Sequence, residues 1–214
     1  MAVGRVGGDL PNFFEKRGKI IMRVGKIIRE TKETKVDLEI NLDGGENKIS
    51  TGIGFFDHML NLFAAHGNFD LAVTCAGDLE VDGHHSVEDI GICLGSAIKK
   101  ALGDKRGINR YGTFFLPMDE SLAFATLDIS GRPFLVCELG ELAPMIGNFD
   151  TELVEEFLRA LAFNAGLTLH AKILYGKNSH HKVEGIFKAL GHALRIAVDI
   201  NEKVHGVPST KGVI

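Results

Sequence analysis

Cysteine is scarce in this sequence: only Cys75, Cys93 and Cys137 occur among its 214 residues. They are odd in number, lie far apart and include no C-x-x-C pair, so neither a disulfide framework nor a thiolate zinc site is expected. Such cysteine usage is typical of a reducing compartment, and we expect a cytoplasmic protein.

Clustered positive charge and long apolar runs are also lacking. The formal net charge is -4 and the isoelectric point is about 6.1, whereas nucleic-acid binding requires a local excess of lysine and arginine. No apolar stretch reaches the ~18 residues of a bilayer-spanning helix, and the N-terminus has no apolar segment typical of a secretory signal. We therefore expect neither a nucleic-acid partner nor a membrane partner.

What the sequence does contain is enough hydrophobic residues, 45%, to bury a real core. Residues 1–20 are glycine-rich and unpatterned, and we predict a flexible N-terminal tail there. The recognisable pattern starts only after Met22, which leaves open whether translation begins at Met1 or at Met22.

An internal repeat organises the rest of the chain. "ETKVDLEINLDG" (33–44) aligns without a gap with "ESLAFATLDISG" (120–131), and both show the alternation of a strand. "DHMLNLFAAHGNFDL" (57–71) aligns with "EEFLRALAFNAGLTL" (155–169), and each contains a glycine typical of a helix end. In each half a further strand and a second helix follow.

The repeat predicts an α+β fold built from an internally duplicated α/β unit. Each half is expected to form a mostly antiparallel four-stranded sheet with two helices on one face, and the functional site is expected between the halves. We place the first half at 21–110, the second at 111–206 and a C-terminal tail at 207–214, all in one compact unit. Ser179 is the predicted N-cap of the last helix.

A double histidine followed by glutamate recurs in "DGHHSVED" (82–89) and "NSHHKVEG" (178–185). Residues four apart share one face of a helix, so each helix offers a histidine–glutamate clamp and one further histidine that points aside. If the two helix starts face each other, each clamp can recruit the other helix's second histidine. Fourth ligands, His58 and Glu156, lie at matching positions of the aligned helices. One metal is thus assigned to His58, His85, His180 and Glu184, and a second to His84, Glu88, Glu156 and His181.

Mixed imidazole and carboxylate ligands suit Mn(II), Fe(II) or Zn(II), and open positions suit catalysis. A single HHxxE is more often a polar helix start than a metal site, but two copies in register within a repeat favour metal binding. His66 lies two turns after His58 and is interpreted either as an outer partner of the site or as a substrate contact. His170, His192 and His205 lack partners in the pattern and are expected to be packed or solvated.

Ordered motifs from about residue 23 to the end resemble one known family, imidazoleglycerol-phosphate dehydratase of histidine biosynthesis. They are "RETKET", "INLDG", "GFFDHML", "GHHSVEDIG", "INRYG", "LPMDE", "SGRP", "GKNSHHKVE" and "VPSTKGV". The resemblance implies the duplicated fold, of the ribosomal protein S5 domain 2-like type, and a large homo-oligomer, a 24-mer, whose sites are completed by neighbouring subunits.

The resemblance also implies the reaction: removal of water from D-erythro-imidazole glycerol phosphate to give imidazole acetol phosphate, with two Mn(II) ions per site. Two metals on the two ring nitrogens would favour the imidazolate, and a diazafulvene-like intermediate would then follow loss of the hydroxyl. Seven of the eight ligands assigned above match the family's set. Glu156 departs from it, because some members have histidine in "VEHFF" where this chain has "VEEFL".

Further site residues follow from the same resemblance. Glu33 is the leading acid/base candidate, its repeat counterpart Glu120 has a weaker claim, and Glu184 is assigned a catalytic as well as a ligand role. Read alone, Glu33 would be an exposed residue in a charged run. The residues expected to bind substrate are Glu33, His66, Arg110, Arg132, Lys188, Ser209, Thr210 and Lys211.

Two other functions fit the histidine clusters alone. A di-metal hydrolase would use a bridging hydroxide on a phosphate ester or amide and release phosphate or an acid. A metal-storing or shell-forming protein would hold its metals in closed sites without turnover. The arginine, serine and lysine positions would have no role in the second of these.

Overall fold

The computed structural model describes residues 22–214, so the predicted tail at 1–20 lies outside the described residues. The first half forms a four-stranded sheet in the order β1-β2-β4-β3, in which only β3 runs parallel to its neighbour. Its elements are β1 (Val24–Glu30), β2 (Thr34–Asn41), β3 (Lys48–Ser50), α1 (Gly54–Gly67), β4 (Asp70–Gly77) and α2 (His84–Leu102).

The second half repeats this arrangement. Its sheet has the order β5-β6-β10-β7, and β7 is again the parallel edge strand. The elements are β5 (Tyr111–Met118), β6 (Ser121–Asp128), β7 (Phe134–Glu138), β8 (Met145–Ile146), β9 (Phe149–Asp150), α3 (Leu153–Ala165), β10 (Thr168–Tyr175) and α4 (Ser179–Val198). The predicted duplicated α+β fold is confirmed, with one addition, the short β8–β9 hairpin before α3.

The helices lie between the two sheets and join the halves. α2 packs on β1 and β2 and also on α3, while α4 packs on β5 and β6 and also on α1. Glycines allow this close approach, because a Cβ on Gly95 would lie 2.6 Å from the Leu161 carbonyl and one on Gly191 would lie 2.4 Å from the Phe63 carbonyl. The buried side chains of both halves therefore form one hydrophobic core.

The helix ends differ in detail from the sequence prediction. Asn178, not Ser179, caps α4, and its side-chain oxygen accepts hydrogen bonds from the amides of His180 and His181 at 2.9 and 3.4 Å. The Ser179 prediction was wrong because the Ser179 hydroxyl is occupied elsewhere, accepting the Ala143 amide at 2.8 Å. An asparagine cap fixes the helix start that carries both histidines.

The three cysteines all lie in the described part of the chain and have free thiols. Burial raises the pKa of Cys93 to about 11 and that of Cys137 to about 12, so both stay protonated and unreactive at neutral pH. Over residues 22–214, none of the helices has the length and apolar character that a membrane crossing requires.

Candidate functional site

The best-formed polar cluster joins α1 of the first half to α4 of the second. His180 and Glu184 are one helical turn apart on α4, and their Nε2 and Oε2 atoms are 3.0 Å apart. The same Glu184 oxygen lies 3.6 Å from Nε2 of His58 on α1. The structure therefore brings together three of the four ligands predicted for this metal, and His85, the histidine expected from α2, is not among them.

This trio is the one group of three or more potential metal ligands, within residues 22–214, whose ligand atoms all lie within 4.8 Å of one another. Two imidazoles and a carboxylate suit a first-row divalent ion. His58 is about half exposed, which leaves an open side for a substrate or further ligands. The residues present fit a catalytic metal.

Glu184 is the buried member of the trio, with its side chain only 8% exposed. Its other oxygen accepts a hydrogen bond from Nζ of Lys188 at 2.5 Å. Burial raises the pKa of Glu184, but the hydrogen bonds and charges of Lys188 and His180 outweigh that effect, so the pKa lies below its ordinary value. Glu184 is thus ionised and ready to bind a cation.

The second histidine of each pair is held by a carboxylate outside the trio. Nδ1 of His85 lies 3.0 and 3.1 Å from the two carboxylate oxygens of Asp78, and Nδ1 of His181 lies 2.7 Å from Oε2 of Glu120. Each hydrogen bond raises the pKa of its histidine. Neither partner was predicted, since nothing in the sequence pattern places Asp78 or Glu120 against a ring.

Glu120 and Glu33, the two acid/base candidates, differ sharply in their surroundings. Glu120 accepts hydrogen bonds from the amides of Asn178 and Lys177, the His181 ring and the Ser121 hydroxyl, which hold its pKa well below the usual range. Glu33 has a side chain that is 57% exposed, and its nearest ring nitrogen, Nε2 of His85, is 3.9 Å away. Of the two carboxylates, Glu33 is the more exposed, at 57% against 37% for Glu120.

The remaining predicted ligands do not converge within one chain. His84 is half-buried, Glu88 is exposed, and Glu156 makes a distant ion pair with Arg159 at 3.9 Å. The predicted sharing of ligands requires the starts of α2 and α4 to face each other, whereas α2 packs on α3 and α4 packs on α1. Both metal sites stay predictions, and of the first site the structure brings together only His58, His180 and Glu184.

His66 lies with His192 and not with the trio. Its Nδ1 is 3.1 Å from Nε2 of His192, whose ring stacks on Phe114 at a centroid distance of 4.1 Å. Burial, followed by the charge of Lys188, lowers the pKa of His66, and burial also lowers that of His192. Eight residues of helix, about 12 Å, separate His66 from His58, which makes a role in packing α1 on α4 the better-supported interpretation.

A separate polar cleft of about 600 Å³ gathers five of the predicted substrate-binding residues. Arg110 donates from Nε and Nη2 to the Asp128 carboxylate at 2.6 and 3.0 Å and from Nη1 to the Pro208 carbonyl at 2.9 Å. The hydrogen bond to Asp128 raises the Arg110 pKa further. The five predicted residues that line the cleft are Arg110, Arg132, Ser209, Thr210 and Lys211.

Comparison with known proteins identifies the family. The family model described as imidazoleglycerol-phosphate dehydratase matches residues 51–194. A Clostridium botulinum (strain Langeland) imidazoleglycerol-phosphate dehydratase is 62% identical over 192 residues, which are 89% of this chain and 98% of that one. The chain belongs to the imidazoleglycerol-phosphate dehydratase family. The resemblance drawn from the sequence motifs is confirmed.

Solved structures support the same assignment for the fold. The crystal structure of imidazoleglycerol-phosphate dehydratase from Staphylococcus aureus matches with a TM-score of 0.76 and 42% identity, over 83% of this chain and 99% of that one. The Pyrococcus furiosus enzyme, in complex with (S)-C348, matches with a TM-score of 0.77 and 38% identity, over 88% and 100%. Membership of the imidazoleglycerol-phosphate dehydratase family makes the chain a lyase of histidine biosynthesis.

Proposed function

We propose that this enzyme dehydrates D-erythro-imidazole glycerol phosphate to imidazole acetol phosphate with two divalent metal ions, natively Mn(II), in the cytoplasm. The observation that carries the metal part is the trio of His58, His180 and Glu184 at the junction of the halves. Family membership supports the dehydration reaction. The trio supports metal binding, because its donor atoms lie close together, combine imidazole nitrogen with carboxylate oxygen, and include the half-exposed His58.

The substrate carries its reacting hydrogen beside an imidazole ring, where no carbonyl acidifies it. When bound, two divalent cations would supply positive charge at the two ring nitrogens. Glu184 would be a ligand of one of these cations, and the neighbouring Lys188 keeps its carboxylate ionised. Glu33 is assigned the proton transfer, because its carboxylate is exposed and, within residues 22–214, is not held by hydrogen bonds as that of Glu120 is.

We place the phosphate in the cleft that contains Arg110, Arg132 and Lys211. Arginine pairs with phosphate oxygens through two parallel hydrogen bonds, and lysine adds charge. Arg110 is committed to Asp128, which leaves Arg132, with a side chain that is 72% exposed, as the freer guanidinium. Arg132 and Lys211 therefore make the main electrostatic contribution to substrate affinity.

The phosphate cleft and the trio of one chain are far apart, which supports a shared site. The Arg110 amide donates to the carbonyl of Ala197 near the end of α4, whereas Glu184 lies near the start of that helix. Thirteen helical residues separate them, about 20 Å, which is more than the short side chain of the substrate can span. We propose that one copy supplies the trio and a neighbouring copy supplies the phosphate cleft.

The outer surface of the second sheet supports the same homo-oligomer. Phe115 on β5 is exposed and stacks with Phe124 on β6 at a centroid distance of 5.2 Å. Tyr111 and Phe134 are also exposed on strands of this sheet. Exposed aromatic residues on one face are typical of a surface that another protein covers. We propose a closed homo-oligomer, a 24-mer by family resemblance.

Removal and return of metal tests the proposed reaction. Protein stripped with a chelator should form no imidazole acetol phosphate from imidazole glycerol phosphate, and added Mn(II) should restore turnover without release of inorganic phosphate. Phosphate release would support the di-metal hydrolase. Tightly bound Mn(II) without turnover on this substrate would support metal storage.

Mixed oligomers test the shared site. Arg132→Ala and Glu184→Gln chains should each be nearly inactive alone. When co-expressed in equal amounts they should recover about one quarter of wild-type activity, because that fraction of sites combines an intact trio with an intact cleft from the other chain. Arg106→Ala, an exposed arginine outside the cleft, is the control and should be active alone. No recovery in the mixture would show that trio and cleft act within one chain.

A further inference from the structure

Asp78 was not predicted as a site residue and Glu120 only as the weaker acid/base candidate, yet each contacts a predicted ligand. We propose that these two carboxylates are positioning residues, which fix His85 and His181 so that Nε2 of each ring is presented to a metal ion. The inference rests on the proposed di-metal function and deepens it, because it assigns the groups that orient one ligand in each half.

The geometry is the same in both halves. Nδ1 of His85 donates to Asp78 at 3.0 Å, and Nδ1 of His181 donates to Glu120 at 2.7 Å. With the proton on Nδ1, the lone pair of each ring is on Nε2. A histidine that binds a metal typically donates its other ring N–H to a carboxylate in this way.

The Nε2 atoms face open, negatively charged surroundings. Nε2 of His85 lies 3.9 Å from the exposed carboxylate of Glu33, and Nε2 of His181 lies 3.8 Å from that of Asp119. Both distances exceed that of a hydrogen bond, so Nε2 of neither ring donates a hydrogen bond to that carboxylate. The ring nitrogen that a metal needs is available in both halves.

The two carboxylates do not occupy equivalent positions of the repeat. Gly77 aligns with Gly176 at the ends of β4 and β10, so Lys177 stands where Asp78 stands in the first half. Glu120 aligns instead with Glu33. Shared ancestry alone would have placed the carboxylates at matching positions. Both halves have a carboxylate hydrogen-bonded to Nδ1 of the histidine, but different repeat positions supply it. This indicates that the hydrogen bond itself is required.

Hydrogen bonds to both carboxylate oxygens fix the Glu120 side chain in place. One of its oxygens accepts the Lys177 and Asn178 amides at 3.0 and 2.8 Å and the Ser121 hydroxyl at 2.9 Å, while the other holds His181. A carboxylate fixed on both oxygens orients a ring better than it transfers a proton. Among residues 22–214, the Asp78 side chain hydrogen-bonds only to His85, so its two oxygens can be altered there without disturbing other hydrogen bonds.

Mn(II) affinity provides a measurement that does not depend on turnover. Free Mn(II) is followed by electron paramagnetic resonance during titration of the intact oligomer, stripped of metal beforehand. Asp78→Ala and Glu120→Ala should each weaken one class of bound ion by about 10- to 100-fold and leave the other class unchanged. The matched controls are Glu80→Gln and Glu141→Gln, which remove exposed negative charges near the same helix starts without touching either ring.

A conservative replacement separates orientation from bulk charge. Asp78→Asn keeps an oxygen that accepts from Nδ1 and should recover most of the affinity lost in Asp78→Ala. Glu120→Gln should recover less, because its amide group cannot accept hydrogen bonds on both sides as the carboxylate does.

The outcomes for this inference and for the proposed function are distinct. Wild-type affinity in both alanine variants, with Mn(II) binding intact in the parent, would overturn the positioning role and leave the di-metal function standing. Loss of affinity matched by loss of folded structure in all Asp78 and Glu120 variants would assign the carboxylates to folding and also overturn it. A parent that binds no Mn(II) would overturn both.

Discussion

Replacing Glu184 with glutamine is expected to abolish binding of one metal ion and to reduce kcat/KM well beyond the ~10- to 100-fold typical of losing an outer partner of a ligand. Glu184 is the one anionic member of the trio, and its Oε2 lies within 3.6 Å of both histidine nitrogens. Glutamine has nearly the same shape, so the change removes charge and leaves the space filled. Metal content by elemental analysis and steady-state kinetics provide the measurement.

The Glu184 substitution also leaves Lys188 without its ion-pair partner, and the variant could lose stability for that reason. His58→Asn is the companion variant, because His58 is half exposed and its loss costs little in folding. It should show the same loss of metal and activity. Glu155→Gln, which breaks an exposed ion pair with Arg159 on α3, is the control and should keep both. Full metal content in both trio variants would contradict the assignment of the trio.

The duplicated fold could be read from the sequence because the repeat and the strand and helix periods agree. The aligned segments became β2 and β6, and the aligned helices became α1 and α3. The packing of each double-histidine helix on a helix of the other half could not be predicted. α2 and α4 are buried on much of their surface, so the apolar pattern does not show which side meets the sheet and which meets a helix.

Local spacing predicted the part of the site that lies within one helix. His180 and Glu184 meet because residues four apart share a helix face, and this required no tertiary information. The contacts of Asp78 with His85 and of Glu120 with His181 depend on the tertiary positions of two loops, which local spacing does not predict. Asp78 and Glu120 stand at different positions of the internal repeat. Aligning the two halves of the sequence therefore could not reveal that both carboxylates have the same role.

Two glycines in equivalent first strands show how closely each half is packed. A Cβ on Gly25 of β1 would lie 1.9 Å from the Ala97 carbonyl of α2, and one on Gly112 of β5 would lie 1.8 Å from the Ala193 carbonyl of α4. No real Cβ approaches a backbone oxygen so closely. The strand–helix contact in each half therefore requires glycine for reasons of space, independently of backbone conformation, since neither residue has a positive φ.

Gly112→Ala is accordingly expected to destabilise the protein by about 3 kcal/mol or more, because the strand and α4 must separate to admit one methyl group. For a chain of this size that corresponds to a fall in the thermal unfolding midpoint of roughly 6–12 °C. Gly54→Ala is the matched control: Gly54 begins α1, nothing lies within 4 Å of its added Cβ, and alanine favours the helix. That variant should unfold at or slightly above the wild-type temperature. If Gly112→Ala unfolds within 2 °C of the wild type, the close contact between β5 and α4 is not what stabilises the second half.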